Sequence, residues 1–113
     1  MKYIVAVIQP DRMSEVLDEL EKAQVHLVTV TQVMGRGRQK GVAEVYRGHK
    51  EAGSLLRKVK LEIAVNDNFV QPTIDAIVKG ARTGTIGDGK IMVLDLGQCI
   101  RIRTGETGSV AIG

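Results

Sequence analysis

Two glycine-rich, basic stretches hold most of the residues whose types and spacing could do chemistry. Thr83 to Lys90 reads TGTIGDGK, and from Gly84 it has the P-loop's order of glycine, four residues, glycine and lysine. Ile91 stands where that motif places Ser or Thr on magnesium. The stretch also follows a predicted helix and precedes a predicted strand, the reverse of the P-loop's setting. Backbone N–H groups of Gly87, Asp88 and Gly89 could still cradle a phosphate, with Lys90 supplying charge. A tight turn beside a solvated lysine fits the same residues. Gly35 to Gly41 reads GRGRQKG and misses the dinucleotide fingerprint, because its third glycine comes one residue late.

Three further cations stand out. Arg101 and Arg103 fall on one face of a short alternating segment, Cys99 to Arg103. Two guanidiniums there suit bidentate phosphate contact, or they are edge-strand charges that deter pairing. Lys58 lies where the chain re-enters a strand, placed either to hold a carboxylate or to sit solvated. His26 and His49 are far apart in sequence, and Cys99 is the single cysteine. They make neither a metal set nor a nucleophile–base pair, so no enzyme is expected.

The elements that must position these groups follow from periodicity. Lys2 to Ile8 is apolar on both alternating faces and reads as a central strand buried on two sides. Pro10 and Asp11 open a helix with Asp11 as N-cap, and Met13, Val16, Leu17 and Leu20 form its apolar stripe. A second strand runs from about Leu27 to Met34. Lys58 to Val65 alternates, with Val59, Leu61, Ile63 and Val65 on one side and Lys58, Lys60, Glu62 and Ala64 on the other. Asn66 to Asn68 offer a turn and cap. Val70, Ile74, Ile77, Val78 and Ala81 then trace a second amphipathic helix, with Pro72 near its first turn. A fourth strand spans Ile91 to Leu96.

Two strand–helix–strand units in this order make a ferredoxin-like (βαββαβ) α+β fold, a four-stranded antiparallel sheet with both helices on one face. Both faces are apolar: Ile4, Ala6 and Ile8 stand opposite Tyr3, Val5 and Val7 on the first strand, and Met92, Leu94 and Leu96 opposite Ile91 and Val93 on the fourth. Helices cover only one face, so a second subunit is expected on the other. A chain of 113 residues makes one domain, 1–113.

Between the second and third strands lies a long flexible loop, about 35–56, with no sustained period and with five glycines. Ordering each residue costs ~1–2 kcal/mol, so this loop needs a partner to settle. From Gly35 to Lys60 eight Lys or Arg face only Glu44 and Glu51, a net of +6 in a chain of net charge +3. The rest is therefore net −3. Positive charge gathered there points to an anionic ligand or partner. No apolar run is long enough to span a membrane, and one cysteine suits a reducing, cytoplasmic compartment.

GRGRQKG, YRG, KVKLEI, ARTGTIGDGKI and IRIRTGE, at these intervals, resemble the PII signal-transduction family (nitrogen regulatory protein P-II), end to end. The resemblance implies a homotrimer that senses ATP, ADP and 2-oxoglutarate in clefts between subunits. Such a protein would report nitrogen and energy status to an ammonium transporter or to nitrogen-assimilation enzymes. It implies that Gly37, Arg38 and Gln39 contact the nucleotide from the loop's base and that Gly87, Asp88, Gly89 and Lys90 hold the phosphates. Arg101 and Arg103 would reach in from the neighbouring chain. Thr29 and the Ala64 backbone would meet the adenine, and Glu62 the ribose side. Gln39 would ligate the Mg2+ that travels with ATP and also binds 2-oxoglutarate, whose far carboxylate would pair with Lys58. Arg47 matches the residue that blocks the ammonium channel.

The departures are at the loop tip. Glu51 replaces the tyrosine that is uridylylated in some members, and His49 the serine phosphorylated in others; Tyr46 remains as a phenol. A family branch serving a bicarbonate or metal transporter is the nearest rival. An RNA-recognition module shares the strand–helix order but stacks bases on sheet aromatics. Of Tyr3, Tyr46 and Phe69, only Tyr3 lies on a predicted strand, so no nucleic-acid partner and no membrane insertion are expected.

Overall fold

A computed structural model describes residues 1–37 and 55–113. Strand β1 (Lys2–Ile8) is followed by a 3-10 turn (Pro10–Arg12) and helix α1 (Met13–Lys22). Strand β2 (Thr29–Gly35) and strand β3 (Leu56–Val65) come next. A second 3-10 turn (Asp67–Phe69) leads into helix α2 (Val70–Ala81), strand β4 (Gly89–Asp95) and a short helix α3 (Ser109–Ile112). The strands form one antiparallel sheet in the order β2-β3-β1-β4, the ferredoxin-like arrangement expected.

β1 sits in the middle, as its two-sided apolar pattern requires. Ile4, Ala6 and Ile8 are fully buried, as are Leu61 and Ile63 of β3. Val16 and Leu20 of α1 and Ile77 of α2 complete the same core. On the opposite face Met92 is 44% and Leu94 49% exposed, so the described chain leaves that apolar surface uncovered.

Several local expectations change. Asp11 is not an N-cap. It lies inside the 3-10 turn, whose cap is Gln9, because Pro10 takes the first helical position and leaves capping to the residue before it. The buried face of α2 is Thr73, Ala76, Ile77, Gly80 and Ala81, rotated from the expected stripe; Val70, Ile74 and Val78 flank it half-buried. Small residues win this face because α1 comes close. A Cβ on Gly80 would lie 2.6 Å from the Val16 Cα.

β4 begins two residues earlier than expected, with Gly89 and Lys90 already paired to Ile8 and Val7. The expected strand over Cys99 to Arg103 is absent. That segment makes one isolated bridge, Ile100 to Thr107, and then turns. Its polar groups are met locally instead: the Arg101 N–H donates to the Glu106 carbonyl at 2.9 Å, and the Gly105 N–H to the Arg101 carbonyl at 2.7 Å.

Candidate functional site

The register of β1 decides what meets at its C-terminal end. Ile8 pairs with Val59 on one side and with Gly89 on the other. Lys58 and the Thr83–Asp88 loop therefore flank the same strand end. Gln9, the next residue, donates from Nε2 to the Gly87 carbonyl at 2.8 Å. Lys58 Nζ approaches the same oxygen at 3.4 Å.

Lys58 is buried, and desolvation pulls its pKa below the ordinary lysine range. A buried ammonium that a carboxylate could reach is a good anchor for an anion. The expectation left a solvated strand lysine open; the structure rules that out.

The glycine-rich loop is folded around Asp88. The carboxylate accepts from the Thr83 N–H at 2.8 Å, from the Gly84 N–H at 2.9 Å and from the Thr83 hydroxyl. The Thr83 hydroxyl bond, then the two N–H bonds, hold Asp88 below the usual carboxylate range. Its side chain is thus spent on the loop's own shape. Gly87 (φ +104°) and Gly89 (φ +110°) take the left-handed backbone that glycine alone adopts cheaply. Gly89 is also sterically confined, since a Cβ there would fall 1.8 Å from the Val7 carbonyl oxygen. Lys90 is exposed beside this loop.

Thr29, Glu62 and Ala64 gather elsewhere. With Tyr3, Leu27 and Ile112 they line an open hollow of about 480 Å³. Thr29 and Glu62 are direct cross-strand partners. The Tyr3 hydroxyl donates to Glu62, and Lys60 Nζ lies 3.6 Å from it. The Tyr3 bond and then Lys60 hold the Glu62 carboxyl below its usual range, and the same bond raises the Tyr3 phenol. Six residues of β3 separate Lys58 from Ala64, roughly 20 Å at ~3.3 Å per residue. One chain therefore holds the expected site residues in two separate groups, at opposite ends of β3.

Arg101 belongs to the C-terminal segment. Its guanidinium donates from Nη1 to Glu106 at 2.6 Å and from Nη2 to the Val110 carbonyl at 3.0 Å. Arg103 is exposed, and with no strand the two arginines do not share a strand face. Gly37 is exposed, and among the described residues a Cβ there would meet nothing within 4 Å. Arg38, Gln39, Tyr46, Arg47, His49 and Glu51 lie outside the described residues. Among the described residues no three His, Cys, Asp or Glu side chains gather to hold a metal. The role of Gln9 escaped the sequence reading, although a polar side chain directly after a two-sided strand was a signal to weigh.

A model of the family described as nitrogen regulatory protein P-II matches residues 1–106. The chain belongs to this family. It is 51% identical over 112 residues to nitrogen regulatory protein P-II 2 of Methanothermobacter thermautotrophicus, covering 99% of this chain and 97% of that one. Nitrogen regulatory protein GlnK1 of Methanosarcina mazei is 52% identical over 114 residues, with the same coverage. Nitrogen regulatory protein P-II 1 of Escherichia coli is 47% identical over 112 residues, covering 99% of this chain and all of that one. Among solved structures, PII of Arabidopsis thaliana bound to citrate superposes with a TM-score of 0.80 at 37% identity. That match covers 98% of this chain and 88% of the plant protein. Among the described residues no helix is long and apolar enough to cross a membrane.

Proposed function

We propose that this P-II signal transducer, a regulator rather than an enzyme, binds ATP or ADP, and 2-oxoglutarate together with ATP and Mg2+. In this reading it is cytoplasmic and acts on an ammonium transporter or on nitrogen-assimilation proteins through the segment between β2 and β3. The observation that carries the reading is the convergence of Lys58, a buried cation, on the Gly87 carbonyl of the glycine-rich loop. The glycine-rich turn and the buried ammonium thus lie side by side, which supports a nucleotide and a dicarboxylic acid bound together. The citrate bound to the plant relative is likewise a polycarboxylate.

The two groups of site residues fit a homotrimer with single domains over 1–113. Lys58 and Gly87 to Lys90 of one copy would face Thr29, Glu62, Ala64, Arg101 and Arg103 of the next, and the uncovered apolar sheet face would lie between copies. Asp88 shapes the loop while backbone N–H groups meet phosphate. Gly37, Arg38 and Gln39 close the site, with Gln39 on Mg2+. Each charge-assisted hydrogen bond contributes ~1.5–3 kcal/mol, so a few contacts select among conformers of the effector segment, and a target binds one of them. Arg47 is the residue assigned to channel block. Because Glu51 and His49 replace the modified residues of some relatives, neither of those modifications acts at these two positions. The same replacements favour, as second reading, a nucleotide sensor for a bicarbonate or metal transporter.

The deciding experiment is calorimetric titration of ATP–Mg2+, then of 2-oxoglutarate into ATP-loaded protein, with Lys58→Ala as control. The expected result is acid binding only after ATP, lost in the variant. ATP binding without acid binding would favour the second reading, and neither ligand binding would overturn both.

A further inference from the structure

We infer that Gln9 is a positioning residue of the nucleotide site: by holding the Gly87 carbonyl, it aims the Asp88 backbone N–H at the phosphates. The inference rests on the nucleotide reading above. In a trans peptide, the carbonyl of one residue and the N–H of the next point in opposite directions. The Gly87 carbonyl is drawn inward by Gln9 Nε2 at 2.8 Å and approached by Lys58 Nζ at 3.4 Å. The Asp88 N–H, at the other edge of that plane, is turned away from both.

Glycine needs such an anchor more than other residues. Gly87 at φ +104° has no side chain to restrict the peptide that follows it, so a hydrogen bond must. The Asp88 carboxylate fixes the start of the loop at Thr83 and Gly84, and β4 pairing fixes its end at Gly89. The Gly87–Asp88 peptide lies between these supports, and Gln9 holds it. A donor on the carbonyl also polarises the peptide and strengthens its N–H as a donor.

Lys58 shares the same oxygen but is the cation that a bound acid would engage. Gln9 is neutral and can keep the peptide oriented while Lys58 turns to the acid. The peptide plane is thus a joint between the two ligand sites.

The test is binding of ATP–Mg2+ and of adenosine to the full chain carrying Gln9→Met, which keeps the length and removes the donor. ATP should bind about five-fold more weakly, the worth of one net hydrogen bond of ~1 kcal/mol, while adenosine, which lacks phosphate, binds as to the wild type. Gln9→Lys, which restores an N–H donor, should bind ATP at least as tightly as wild type. Unchanged ATP affinity in Gln9→Met, or equal losses for ATP and adenosine, would overturn the inference. So would Gln9→Lys and Gln9→Met weakening ATP alike. Failure of the wild type to bind ATP at all would instead sink the nucleotide reading beneath it.

Discussion

Replacing Gly89 by alanine tests whether the glycine-rich loop is held by β1 or merely follows it. Two separate costs apply. The residue sits at φ +110°, and holding an L-residue in a sparsely populated backbone region costs ~1–3 kcal/mol. The new Cβ would also lie 1.8 Å from the Val7 carbonyl oxygen and 2.9 Å from its carbon. Those are backbone atoms of the central strand and cannot swing aside as a side chain would. Forcing a methyl into such a site costs roughly 1–3 kcal/mol more. The sum, roughly 2–6 kcal/mol, is a large share of the ~5–15 kcal/mol that stabilises a typical domain.

Gly84→Ala separates the two terms. Gly84 also has positive φ, +88°, but among the described residues a Cβ there meets nothing within 4 Å. Urea unfolding of both variants, at one fixed protein concentration because assembly shifts apparent stability, should show Gly89→Ala lower than Gly84→Ala by ~1–3 kcal/mol. Equal losses would refute the steric argument. A Gly89→Ala protein as stable as wild type would refute the backbone argument too.

Two pH effects follow from the perturbed groups. Desolvation lowers the Lys58 pKa, and a carboxylate ligand would raise it again, so acid binding at alkaline pH should take up protons. Calorimetry in buffers of different ionisation enthalpy should show this uptake, and it should vanish in Lys58→Ala; a buffer-independent enthalpy throughout the alkaline range would refute it. Asp88 has a folded pKa below its unfolded one. Its contribution to loop order is therefore complete above the ordinary carboxylate value of 3.8 and lost as pH falls through the lower folded value. The Thr83 and Gly84 amide resonances should follow that titration, and Asp88→Asn should remove the pH dependence while shifting both amides at neutral pH.

The parts of the fold that were legible in the sequence are those with one dominant cause. β3 alternates because one face is core and the other is not, and Val59, Leu61, Ile63 and Val65 are the buried ones. β1 reads as central because both faces are apolar. Where a pattern had two causes it misled. Cys99 to Arg103 alternates like a strand, yet among the described residues Ile102 is 99% exposed. Local pairing of Arg101 with Glu106 five residues on competes with any sheet edge. The α2 stripe was placed by hydrophobicity, whereas close approach to α1 selects by size, so Gly80 and Ala76 are inside while Ile74 is half-buried.

At the candidate site, residue types marked Lys58 and the glycine-rich loop, but only register brings them together. Periodicity says that β1 is a strand; it does not say that Ile8 lies between Val59 and Gly89. Nor does it reveal that Asp88 bonds back onto Thr83, or that Gln9 reaches across to Gly87. Those are consequences of which strands pair, and pairing is decided by the whole sheet.

The place of β1 also has a consequence for synthesis. Lys2 pairs with Asp95 and Ile8 with Gly89, so the earliest-made of these four strands is among the last to be completed. β3 can cover one of its edges earlier, but the other waits for the final quarter of the chain. Contacts of such separation slow folding, and an apolar strand with an open edge invites association while it waits. The nascent chain therefore carries one of its two interior strands half-finished until β4 emerges, and the strand end that later frames Gln9, Lys58 and Gly87 is assembled in that last step.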